Sequence, residues 1–173
     1  MTRSMRTPIF LLSVMALLVA RPGQAEIRGA SVAVNGMACP FCAFGVEKRL
    51  KKVQGVERVV VSTKDGIATL TAKAQQSIDV EQIPRAVRSA GFTPGPIMVE
   101  AVGRVETDGR DRVVLRLRGT DQAFLLAGTG VRADARLRSL TETGALVVIR
   151  GAFHLRQESL PAISPEVVEE IPD

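Results

Sequence analysis

The chain of 173 residues has no tryptophan and no tyrosine, and only six phenylalanines, one histidine and two cysteines. Each scarcity excludes something. With so few aromatic rings the core must be built from Val, Leu, Ile and Ala, and the stacking platforms that single-stranded nucleic acids need are missing. A lone His154 supplies neither a histidine metal cluster nor a proton relay. With no nucleophile elbow and no phosphate loop, no catalytic constellation forms and the chain is not read as an enzyme. His154 is read as a surface or barrel-edge residue. A disulfide between the two cysteines, Cys39 and Cys42, would close too small a loop to staple a fold, so the pair is read as functional rather than structural. The longest apolar run, the 12 residues from Ile9 to Ala20, falls short of the roughly 20 needed to span a bilayer.

That run has the layout of an export leader. Arg3 and Arg6 precede it, and Arg21, Pro22, Gly23, Gln24 and Ala25 follow, with small residues three and one positions before a cut at Glu26. Residues 1–25 are therefore expected to be removed, leaving no stable membrane span, and the mature chain is placed in the periplasm or outside the cell. The leader holds three Arg and no acid, so its loss takes the formal charge from +5 to +2. The basic balance belongs largely to the leader, and no nucleic-acid surface is indicated.

What the chain does have is organised around Gly36-Met37-Ala38-Cys39-Pro40-Phe41-Cys42. Ile27 to Val34 before it reads as a strand. After it, Ala43, Val46, Leu50 and Val53 recur at helical spacing, which predicts a helix from about Pro40 to Lys52 ended by Gly55. The two thiols then lie at a helix N-terminus, where unpaired N–H groups and the helix dipole favour thiolate over thiol. Such a pair can bind a soft metal ion or do disulfide chemistry.

Val56 to Ser62 and Ile67 to Ala72 read as two strands joined by a Lys64-Asp65-Gly66 hairpin. Ser77 is the expected cap of a second helix carrying Val80, Ile83, Val87 and Ala90, with Pro84 loosening it and Gly91 closing it. A fourth strand is expected from Ile97 to Val102, with Met98 in the core. The order is β-α-β-β-α-β, the ferredoxin-like split arrangement.

The resemblance to a family rests on these residues. The loop from Gly36 to Cys42 resembles the Gly-Met-x-Cys-x-x-Cys loop of heavy-metal-associated domains, the group of periplasmic mercury-binding proteins, copper chaperones and N-terminal domains of metal-pumping ATPases. Gly45 to Leu50, Gly55-Val56, Asp65-Gly66 and Ala90-Gly91-Phe92 follow in the family's order, and the likeness covers about residues 28–100. It implies that Cys39 and Cys42 hold the metal, Cu(I) or Hg(II), that Met37 packs beneath the loop and that Phe92 lies beside the site. It also implies, as partner, a membrane metal transporter or another metal chaperone that takes the ion by ligand exchange. Zn(II) is disfavoured, since a structural zinc site wants four ligands. The competing expectation is a thiol-disulfide oxidoreductase: Cys39-Pro40-Phe41-Cys42 resembles the Cys-Pro-x-Cys of periplasmic thiol oxidases, with Thr93-Pro94 as a cis-proline beside it. The order of elements argues against that one.

Beyond the likeness, Val102–Val105, Arg112–Leu117, Ala123–Leu126 and Ala145–Gly151 carry short strand signals, which suggest a small mostly-β domain of OB-like barrel type. Arg112, Arg116 and Arg118 form a polar strand face, solvated or able to dock an acidic partner. From Pro161 to Asp173, proline and acidic residues suggest an exposed, mobile tail. The expected fold class is α+β, divided as leader 1–25, ferredoxin-like domain 26–98, small β domain 99–160 and acidic tail 161–173.

Overall fold

The structure, a computed structural model, describes residues 27–37, 39–117, 122–127, 131–156 and 159–171. The expected leader and Arg118 lie outside them. The first half follows from alternation and turn chemistry. In β1 (Ile27–Asn35), Ile27, Ala30, Val32 and Val34 turn inward while Ser31 and Ala33 lie on the other face. Helix α1 (Pro40–Leu50) buries Val46 and Leu50. Strands β2 (Val56–Ser62) and β3 (Ile67–Ala72) form the expected hairpin. Its turn is fixed by the Ser62 hydroxyl, which donates to Asp65 Oδ2 at 2.7 Å, and by Gly66 at φ +66°.

The second helical segment differs from expectation. Asp79, not Ser77, caps it by accepting from the Glu81 N–H at 3.2 Å, and the turn Val80–Gln82 is 3₁₀. The α-helix proper, α2, covers only Ile83–Ser89. Pro84 therefore sits in its first turn, where a missing N–H has no intrahelical partner to lose, rather than inside it as a kink. Ser77 is spent otherwise: its Oγ accepts from the Ile27 N–H at 3.1 Å and pins the start of β1.

Strand β4 runs from Thr93 to Thr107, 15 residues, and takes up both the expected Ile97–Val102 strand and the separate signal at Val102–Val105. Pro94 and Pro96 do not delay it. Pairing with β7 begins only at Ile97, so over the prolines β4 is an edge strand bonded on one side to β1, a place where proline is tolerated. The line drawn between residues 98 and 99 falls within this one strand. Met98 is half-buried, pointing to the face opposite Ile97 and Val99.

The remaining elements are β5 (Val113–Leu117), β6 (Ala123–Leu126), α3 (Val131–Thr143), β7 (Leu146–His154) and β8 (Ala162–Ile171). Strand β8 replaces the expected tail. It pairs antiparallel with β7 from Leu146↔Ile171 to His154↔Ala162 and parallel with β6 at Leu125↔Ala162. Ala162 and Ile163 are buried in it, while Glu166, Glu169 and Glu170 lie on its more exposed stretch. The acids mark a solvent side rather than an unfolded one. Helix α3 was not foreseen. Only Leu137 and Leu140 of its described side chains are buried, and Gly144 at φ +62° stops it, its N–H donating to the Leu140 carbonyl at 3.2 Å.

The sheet order is β2-β3-β1-β4-β5-β6-β8-β7, with β7 returning to β4. The first four strands carry α1 and α2, and β4, β5, β6, β8 and β7 close on themselves as a barrel. Strand β4 belongs to both. One buried cluster runs without a break from Ile27 and Val46 to Ile149 and Ile163, with Phe124 against Phe153 edge-on at 6.1 Å inside the barrel.

Candidate metal site

The loop after β1 is shaped by three features. Gly36 takes φ +86°, a conformation open to glycine, and turns the chain out of the sheet. Met37 is buried beneath the loop, where the resemblance put it. Cys39 then adopts the extended backbone of a helix N-cap, and Pro40 fills the first helical turn.

In this cap the cysteine stands where Ser or Asp usually does. The Cys42 N–H donates to Cys39 Sγ at 3.1 Å, and the Ala43 N–H donates to the Cys39 carbonyl at 3.2 Å. A sulfur in this position gains most from carrying negative charge, because the first helical N–H groups and the dipole both point at it. Cys39 and Cys42 are joined as a disulfide with their Cα atoms 5.2 Å apart. Both are half-buried, and Cys42 leans on the core. The two sulfurs are thus close enough to bond to each other. Reduced, they are two soft donors on one turn of a helix at the protein surface.

Phe92 is half-buried against the core and precedes Thr93, which pairs with Asn35, so it lies beside the base of the loop. The Thr93–Pro94 peptide is trans, and the cis-proline of the oxidoreductase alternative is not formed. His154 is not brought here. It ends β7, exposed, with Nε2 3.0 Å from Ser164 Oγ. Among the described residues no cluster of three or more His, Cys, Asp or Glu forms a further metal site. Arg112 and Arg116 are paired with Asp108 and Glu106 at 2.6 Å each.

The sequence missed the surroundings of the pair. Phe41 and Phe44 lie on the outer side of α1, exposed, opposite the buried Val46 and Leu50. The signal was present: neither residue belongs to the apolar stripe Ala43, Val46, Leu50, so a ring at either position had to face away from the core.

An α+β chain whose first half is a split β-α-β sheet, with two cysteines on the exposed first turn of its first helix, defines a class of small dithiol-presenting domains. The sequence profile described as "Heavy-metal-associated domain" matches residues 31–93. The chain is 32% identical over 83 residues to the mercuric transport protein periplasmic component of Pseudomonas fluorescens, which takes in 47% of this chain and 90% of that protein. It is 34% identical over 85 residues, 49% of this chain, to a probable copper-transporting ATPase of Arabidopsis thaliana, of whose length it spans 8%. Among solved structures, oxidised MerP from Ralstonia metallidurans is similar at 28% identity, covering 39% of this chain and 93% of that one with a TM-score of 0.35. The chain belongs to the heavy-metal-associated domain family. The matched profile stops where β4 begins.

Proposed function

We propose that this protein is an exported carrier of a soft metal ion, Cu(I) or Hg(II), which Cys39 and Cys42 capture when reduced and then pass on or sequester. The observation that carries this is the cysteine pair on the exposed first turn of α1, in a domain of this family, with helix N–H groups directed at Cys39. Two thiolates suit a soft ion of low coordination number, and a half-buried pair on a turn at the protein surface lets an incoming thiol take the ion by exchange. The relatives' names point the same way: one is a mercuric transport component, the other a probable copper-transporting ATPase. The chemistry is binding and transfer, not catalysis. The partner is a membrane metal transporter or another metal chaperone, and the compartment is the periplasm.

In this reading the carrier unit comprises residues 26–98 and the β unit residues from 99 onward, the two sharing β4. The closed sheet with α3 set between β6 and β7 supports an OB-type barrel for the second unit.

The test is a titration of the reduced chain under argon. About one Cu(I) or Hg(II) should bind per chain, and Cys39→Ser should remove tight binding. Tight binding retained in that variant sinks the assignment. Rapid oxidation of a reduced substrate protein by the disulfide form, with no soft-ion binding after reduction, would replace it with the oxidoreductase alternative.

A further inference from the structure

We propose that the outer face of α1 docks the protein on an anionic lipid surface, with Phe41 and Phe44 as the inserting groups. Phe41 is 89% exposed and Phe44 67%; among the described residues most other large apolar side chains are buried, and the next most exposed, Val60 at 58%, is smaller. Rings of this size left in water are costly unless something covers them. No rotation of the helix can hide them, because Val46 and Leu50 on the opposite side already fill the core.

The charges beside them are of one sign. Lys48 continues the same face one turn on from Phe44, and Arg49 and Lys52 are exposed close by. Glu47, the one acid of the helix, is taken up by Lys51 at 2.6 Å. Apolar rings at the tip with cations behind them match the layering of a bilayer edge, acyl boundary first and phosphate headgroups next.

Shape decides between a lipid surface and a protein partner. A side chain 89% exposed stands clear of the molecular surface. A folded partner must offer a preformed cavity for it, whereas a fluid interface accommodates it without one. Phe41 lies between Cys39 and Cys42 in the chain, so docking brings the sulfurs to headgroup level, within reach of an acceptor embedded in the membrane. That use of the docking rests on the soft-metal function; the docking itself does not.

The test is cosedimentation of the full chain with vesicles of mixed phosphatidylglycerol and phosphatidylcholine, and with phosphatidylcholine alone. The wild type should bind the anionic vesicles, and less so as salt rises. The double variant Phe41→Ser, Phe44→Ser should lose about 10- to 100-fold in partitioning, and Lys48→Glu should lose several-fold. Far-ultraviolet circular dichroism checks that each variant is folded. Wild type that fails to bind either vesicle, or a double variant that binds as well as wild type, overturns the proposal and leaves the rings as a protein-docking surface. Cys39→Ser should bind vesicles normally, and Phe44→Ser alone, which leaves the loop from Gly36 to Cys42 intact, should weaken vesicle binding while binding metal normally, so this proposal and the metal assignment fail separately.

Discussion

The barrel and the tip of α1 treat their polar and apolar groups in opposite ways. In the barrel, acids and bases find each other: Glu106 holds Arg116 at 2.6 Å, and Arg150 lies between Glu100 at 2.7 Å and Glu169 at 3.6 Å. The hydrogen bond from Arg150 to Glu100 fastens the proton more firmly on the guanidinium. At the turn before β5, Asp108 accepts from the Arg112 side chain at 2.8 Å and from the backbone N–H groups of Arg110 and Arg112 at 2.9 Å. Along the outer side of α1, by contrast, Phe41 and Phe44 face water near the two sulfurs, and Lys48, Arg49 and Lys52 face water further along the chain. Satisfied charges hold a shape, and unsatisfied groups are available for use. The contrast agrees with the proposal that the first half carries the metal site, although the second half is just as well built.

The largest test of this contrast concerns the core the two regions share. Leu50, fully buried under α1, and Phe124, fully buried in the barrel, belong to one apolar cluster. Leu50→Ala should cost about 2–5 kcal/mol and Phe124→Ala about 3–5 kcal/mol. Both should move a single urea transition, because β4 passes through each half. Two separate transitions, each sensitive to one variant only, would show that the halves unfold independently.

A smaller effect is expected at the junction. A Cβ on Gly103 would run into the carbonyl oxygen of Arg116 on the paired strand β5. Gly103→Ala should cost about 1–3 kcal/mol through crowding, read from thermal melts, and leave metal binding intact. Loss of binding in that variant would mean that the barrel governs the site.

The smallest effect belongs to the paired charges. The Arg112 side chain, followed by its backbone N–H, holds the Asp108 carboxyl down from 3.8 to about 2. With the folded-state value below the unfolded one, the contribution is fully present above 3.8 and is lost as pH falls through about 2. Asp108→Asn should flatten the decline of melting temperature over that window and change little near neutrality. The pair is solvent-screened, so the difference is modest.

The parts of the fold that could be read from sequence were those set by neighbours in the chain. The cysteine loop, the Asp65-Gly66 turn and the stripe Val46 and Leu50 each carry a local signature, and so does the buried Met37. The parts that could not be read depend on distant partners. Whether Pro94 and Pro96 end a strand depends on which of its edges is occupied, and that is decided by β7, some 50 residues later, where Arg150 pairs with Glu100. Ala162–Ile171 looks like a tail until β7 and β6 give it two neighbours. Helix α3 is mostly polar, and its apolar content reduces to a few positions such as Leu137 and Leu140, too sparse for a periodic signal. At the site, the sulfurs and the helix were read from sequence, whereas the exposure of Phe41 and Phe44 was passed over although their positions off the stripe Ala43, Val46, Leu50 imply it.

Strand β4 has a mechanical consequence. A carrier head tied to its companion by a loose linker can swivel and search. Here one continuous strand, paired with β1 at one end and with β5 and β7 at the other, replaces the linker, so the sulfurs keep a constant bearing from the barrel, as a blade does from its handle. On the proposed carrier function, whatever grips the barrel thereby sets the angle at which the cysteines meet a recipient.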